Sequence, residues 1–192
     1  GEAGCHPIEQ LAAIREACDR HGALLIYDEI QCGLGRTGAM HHSPAPDALT
    51  LAKALGGGLP LGALVAINPS LHDVFRPGDH GSTFGGNPIA CAAGEATLAT
   101  ILEDDLPARC VLMGARLRSG LEGLGFRVTG AGLMLAAHLG QPAAPFLTSL
   151  REHGVLVCPS GAEAVRILPP FIIDEGAVDE LLAAARAAAQ TL

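Results

Sequence analysis

The chain has 192 residues, near the upper edge of one ordinary domain. Apolar residues make up 49%, enough for a sizeable core, while charged residues are only 17% against about 25% in average domains. A net charge of −8 argues against nucleic acid or an anionic membrane surface as partner, and no apolar run reaches the roughly 18 residues of a membrane span.

Residues 7–21 carry Ile8, Leu11, Ala12, Ile14 and Cys18 at helical spacing, with Pro7 suited to the first turn and Gly22 to the stop. Residues 23–27 form a short apolar run that predicts a strand buried on both faces. A helix feeding such a strand suggests a parallel α/β sheet, whose site residues sit just past the strands' carboxyl ends. Asp28-Glu29 occupy that place here. Residues 48–51 and 63–67 read as further strands, and 88–102 as a helix of small residues. From about residue 104 the texture changes. Helices are expected over 106–124, 144–153 and 174–190, with short strands near 126–128, 133–139, 155–158 and 165–168. The expectation is therefore an α/β domain over residues 1–103 and a small α+β domain over 104–192.

Cysteines stand at positions 5, 18, 32, 91, 110 and 158, with no Cys-x-x-Cys. They read as free, mostly buried thiols of a reducing cytoplasm. Gly33 to Gly38 match G-x-G-x-x-G. However, no strand directly precedes the motif, and two prolines follow where a helix should start, so a dinucleotide site is not expected. No Gly-Lys pair exists for a P-loop. His41-His42 lack metal-ligand spacing, and no metal is expected.

Of the 12 lysines and arginines, Lys53 alone is lysine. It lies in an apolar, Gly-flanked stretch, where desolvation makes an ammonium costly. Arginine cannot lose its proton near neutral pH, whereas a desolvated amine can. A neutral, nucleophilic amine is what Schiff-base chemistry needs, and with amino acids that chemistry suggests pyridoxal phosphate (PLP). Such a cofactor asks for an anion at its ring nitrogen, a donor near its ring oxygen and a phosphate cradle. Asp28, Gln31 and the stretch His80 to Asn87 are candidates for the three.

Asp28-Glu29-Ile30-Gln31, Gly33-Leu34-Gly35-Arg36-Thr37-Gly38, Pro46-Asp47, Ala52-Lys53-Ala54-Leu55-Gly56-Gly57-Gly58 and the run from His80 to Pro88 resemble the class III PLP-dependent aminotransferases in order along the chain. Residues 130–134 and 165–170 resemble that family's C-terminal markers, and residues 74–83 are similar to its acetylornithine and ornithine branch. The resemblance implies the C-terminal half of a fold-type I PLP enzyme: part of a large, mostly parallel α/β domain, then the small domain. It implies that Lys53 bonds covalently to the cofactor, that Asp28 pairs with the pyridinium nitrogen and Gln31 with the ring oxygen. Ser82 and Thr83 would bind the phosphate of the neighbouring subunit in a homodimer. Arg166 would take a substrate carboxylate, and Glu2 would pair with that arginine.

The implied reaction moves the ω-amino group of an acylated ornithine, N-acetylornithine above all, to 2-oxoglutarate in arginine biosynthesis in the cytoplasm. The alternatives are another class III ω-amino acid or ornithine aminotransferase, or a non-catalytic fragment. The chain opens at Gly1 inside a motif and is expected to be a piece of a longer protein. Its loop over residues 39–45 is shorter than the family pattern.

Overall fold

The computed structural model describes residues 10–192. They form two compact units: residues 10–35 with 39–105, and residues 36–38 with 106–192. Residues 36–38 thus pack with a unit far from them in sequence, which a boundary at a single point along the chain does not express.

The first unit begins with α1 (Leu11–His21), closed by Gly22 in the left-handed conformation. Its sheet holds β1 (Ile26–Asp28), β2 (Ala48–Leu51) and β3 (Ala63–Ala66) in that order, with β1 and β2 parallel and β2 and β3 antiparallel. Leu25, Tyr27 and Leu49 pack together with Leu11, Ile14 and Cys18 of α1. The expected burial of the first strand on both faces is corrected here. Leu24 and Ile26, on the side away from α1, are 53% and 55% exposed. Apolar side chains alternate along this strand, and α1 covers only one set. The shortened loop before β2 is held by the Tyr27 hydroxyl, which donates to the Pro44 carbonyl at 2.7 Å.

Asp47, buried just ahead of β2, gathers this unit. Its carboxylate accepts from the Leu25 N–H at 2.7 Å, from Arg15 Nη1 of α1 at 2.8 Å and from Asn68 Nδ2 at 2.8 Å. Its carbonyl accepts from the N–H groups of Ile67 and Asn68, each at 2.9 Å. A buried carboxylate with this many donors is stable only as the anion, and these bonds pull its pKa down to about 2. Beyond β2, a 3-10 turn (Lys53–Gly56) leads to Gly57 in the left-handed conformation. A Cβ on Gly57 would lie 2.6 Å from Thr97 Oγ1 of α2 (Pro88–Glu103), so only glycine lets this turn seat on the helix. Asn87 caps α2 by accepting from the Ala90 N–H at 2.9 Å, with Pro88 opening the first turn.

The second unit is an antiparallel sheet in the order β4-β5-β7-β6: β4 (Arg127–Ala131), β5 (Met134–His138), β6 (Cys158–Pro159) and β7 (Ala164–Ile167). One face, with Val128, Leu135, Ala137, Val165 and Ile167, packs on α3 (Leu106–Glu122), α4 (Ala144–Glu152) and α5 (Glu175–Ala189). Phe126 and Phe146 meet edge to face, their centroids 5.4 Å apart. The other face carries Arg127, Thr129, His138 and Arg166 by strand alternation. The strand expected over 155–158 is found instead as Cys158–Pro159, at the edge of the sheet, where a proline is tolerated.

The expectation of mostly buried thiols is also corrected. Among the described cysteines only Cys110 is buried; Cys91 and Cys158 are exposed, and Cys18 and Cys32 lie between. Burial pushes the Cys110 thiol up to about 11, so it behaves as a core residue.

Asp47→Ala should cost about 3 kcal/mol, since it leaves a buried N–H and an arginine without their acceptor. The pH dependence has a definite sign. The folded carboxyl titrates near 2, below the roughly 3.9 of an unfolded aspartate. Its contribution is therefore complete above pH ~4 and lost as pH falls through ~2. Thermal midpoints of wild type and variant should differ most above pH 4 and draw together towards pH 2.

Candidate active site

Asp28 is the last residue of β1, and its parallel partner in β2 is Thr50. Lys53 follows Thr50 by three residues, so both groups lie at the carboxyl ends of adjacent parallel strands, where α/β sheets place their sites. Asp28 Oδ1 accepts from the Ile30 N–H at 3.2 Å and from the Thr50 hydroxyl at 3.4 Å. These bonds fix the carboxylate's orientation while the residue stays exposed. It therefore serves as a turn cap and is also open to a ligand.

Lys53 has φ of +46°, a left-handed conformation that costs a non-glycine residue on the order of 1 kcal/mol. The seat of the following turn on α2 holds it there. The expectation of a desolvated amine is corrected: Lys53 is exposed, because the apolar residues flanking it in sequence turn away into the seat on α2 while its own side chain leaves the turn. Gln31 is half-buried in the turn after Glu29. Ser82 and Thr83 are exposed; the Ser82 hydroxyl accepts from the Gly85 N–H at 2.9 Å, closing a turn ahead of α2. Asp28, Gln31, Lys53, Ser82 and Thr83 all belong to the first unit, and Arg166 to the second. Arg166 is half-buried in β7, facing Ala136 of β5 on one side and Cys158 of β6 on the other. Glu2 lies outside the described residues.

An exposed amine and an exposed, oriented carboxylate at neighbouring strand ends make a donor set that fits pyridoxal phosphate: a nucleophile to carry the ring and an anion for its nitrogen. Among the described residues no group of three or more His, Cys, Asp or Glu side chains could hold a metal ion. No described helix is long and apolar enough to cross a membrane.

Two residues escaped the sequence reading. Glu29, beside Asp28, is 6% exposed. Burial raises its pKa, opposed by the nearby charges of His42 and His41. The signal was an acid directly after a buried strand in a chain almost without lysine to pair with it. The second is Arg36. Its Nη1 donates to the carbonyls of Leu133 at 3.2 Å and Pro169 at 2.9 Å, and its guanidinium stacks 4.4 Å from the centroid of the Phe171 ring.

The family model described as aminotransferase class-III matches residues 1–188. The acetylornithine aminotransferase of Mycolicibacterium smegmatis is 44% identical over 96% of this chain and 50% of its own length. Ornithine aminotransferase 2 of Staphylococcus saprophyticus is 43% identical over 93% of this chain and 48% of its own. The crystal structure of acetylornithine aminotransferase from Elizabethkingia anophelis superposes with a TM-score of 0.90 at 33% identity, covering all of this chain and 52% of that one. The chain spans about half the length of the curated relatives it matches.

The buried Glu29 yields a test. Its folded pKa lies above the unfolded one, so stability falls as pH rises from the unfolded value through the folded value. Glu29→Gln should be nearly neutral at pH 4 and increasingly more stable than wild type towards pH 8, read as a widening gap in thermal midpoint.

Proposed function

Because this chain belongs to the class-III aminotransferase family, we propose that it forms the C-terminal half of a PLP-dependent ω-aminotransferase that takes N-acetylornithine as donor and 2-oxoglutarate as acceptor. The observation that carries the reading is the pairing of Lys53, held in a strained left-handed turn, with Asp28 at the adjacent parallel strand end. Relatives named acetylornithine aminotransferase support the donor. A relative named ornithine aminotransferase supports free ornithine as the second candidate. In this reading the first unit is part of the large cofactor-binding domain, and the second is the small C-terminal domain. The enzyme works in the cytoplasm, in arginine biosynthesis.

Bound there, pyridoxal phosphate would supply an electron sink for the carbon that carries the donor's amino group. Lys53 Nζ would hold the cofactor covalently, and as a free amine it would be the base for the proton on that carbon. Asp28 would keep a proton on the ring nitrogen through a charge-assisted hydrogen bond. Gln31 would donate to the ring oxygen. Ser82 and Thr83 would hold a phosphate in the neighbouring subunit of a homodimer. Arg166 grips a substrate carboxylate through its planar fork, and Glu2 pairs with that fork when the substrate has no second carboxylate.

Two measurements test this. Borohydride reduction of the complete enzyme loaded with pyridoxal phosphate should leave the pyridoxyl mass on the peptide containing Lys53; a label elsewhere would overturn the assignment. Glutamate formation from 2-oxoglutarate, with N-acetylornithine and ornithine compared as donors, should fall by at least about a hundredfold in Asp28→Asn. The thermal midpoint should barely move, since asparagine keeps an oxygen for Ile30 and Thr50. A fall of less than about tenfold, roughly 1.4 kcal/mol, would reduce Asp28 to a turn cap. Absence of label and of turnover in the complete enzyme would favour a non-catalytic protein.

A further inference from the structure

Leu135 faces Ile167 across β5 and β7. Carried one step further on the same side, this register sets Leu133 against Pro169. The ladder cannot continue there, because Pro169 and Pro170 have no N–H. Leu133 is fully buried, so its backbone groups need partners. Arg36 supplies them. Its carbonyl accepts from the Leu133 N–H at 2.9 Å, and its Nη1 donates to the carbonyls of both Leu133 and Pro169. The guanidinium thus stands in for the rung that proline removes between β5 and β7. The seat is shaped for it: Gly132 has φ of +51°, and a Cβ there would come within 2.5 Å of the Arg36 carbonyl oxygen. Phe171 closes the other side of the guanidinium.

Arg166 precedes Pro169 by three residues, about 10 Å along the strand. β6, its neighbour on one side, is only two residues long, so the line of β7 past Arg166 is set mainly from the β5 side. Two-point capture of a carboxylate tolerates an error of only about 0.5 Å.

We propose that Arg36 is a positioning residue for Arg166: by replacing the missing rung between β5 and β7 it fixes the strand end that aims the Arg166 guanidinium at a substrate carboxylate. This rests on the reading of Arg166 given above. Lysine cannot reproduce the arrangement in full: its ammonium can donate to both carbonyls, but it has no planar face to stack on the Phe171 ring while doing so.

Arg109 provides the control. Its Nε and Nη2 donate to the carbonyls of Ile173 and Ile172, at 3.0 and 3.2 Å, on the same segment but farther from Arg166. An arginine that merely steadies the unit would act as Arg109 does. The experiment follows the Nε–H resonance of Arg166 in the full-length, cofactor-loaded enzyme, assigned by its loss in Arg166→Lys, while 2-oxoglutarate is added. Arg36→Met should weaken the titration midpoint by about tenfold, the worth of one charge-assisted hydrogen bond. Arg36→Lys should fall between it and wild type, and Arg109→Met should change the midpoint by less than about threefold despite a comparable loss of thermal stability. Should Arg36→Met not fold, the ranking of Arg36→Lys against Arg109→Lys decides. Equal weakening by the Arg36 and Arg109 variants, or none by either, overturns the proposal and leaves Arg166's role intact. A resonance in wild type that ignores 2-oxoglutarate removes the carboxylate reading of Arg166, and the positioning role falls with it.

Discussion

The carboxylate of Asp47 is the tie on which the first unit depends. One oxygen reaches back to the backbone ahead of β1 and to α1, and the other reaches forward to Asn68 beyond β3. Helix, first strand, second strand and the exit of the third are thereby fixed to one charged group. The charge matters as much as the geometry, because a neutral group would accept these bonds more weakly. From that anchor β1 and β2 run side by side for three residue pairs and end at Asp28 and just short of Lys53. The spacing of a candidate acid and amine is thus set by an aspartate that touches neither.

Arginine does a related job in the second unit. Arg36, Arg109 and Arg118 each donate to main-chain carbonyls that regular pairing leaves over: after β7, ahead of α5, and along β4. Arg116 instead grips Asp179 of α5 with two nitrogens. Arg109 and Arg118 each use two nitrogens of one rigid plane, a fixed spacing that an ammonium's three donors on a single atom do not reproduce. The scarcity of lysine therefore has a structural side that composition alone conceals. Several arginines here are staples rather than solubilising surface charges, and their substitution by lysine would not be conservative.

Much of this was legible in the sequence. Helices over 88–103, 106–122, 144–152 and 175–189 follow from apolar spacing bounded by Asn87-Pro88, Asp174 and glycine-rich stops. The strand over 48–51 follows from a four-residue apolar run behind Pro46-Asp47. Asp28 and Lys53 were visible as polar residues directly after such runs. The contacts of Arg36 were not, although the motif that holds it marks the family resemblance. Its true partners are the carbonyls of Leu133 and Pro169, and no local pattern encodes a contact across so many residues. The clue lay in Pro169-Pro170, which end a strand and strand its acceptors. The exposed side of β1 was missed for a different reason: an apolar pentapeptide shows that both faces are oily, not that both are covered.

Lys53 projects into solvent, and no other side chain in the sequence is a primary amine. Reactive sugars, cyanate and activated acyl groups attack amines and largely spare guanidinium. In a lysine-rich protein such encounters are spread over many harmless surface sites. Among this chain's side chains there are no decoys, and glycation, carbamylation or acylation of them converges on one nitrogen at the end of β2. A covalently seated cofactor would shield that nitrogen, so occupancy would bring chemical longevity as well as competence.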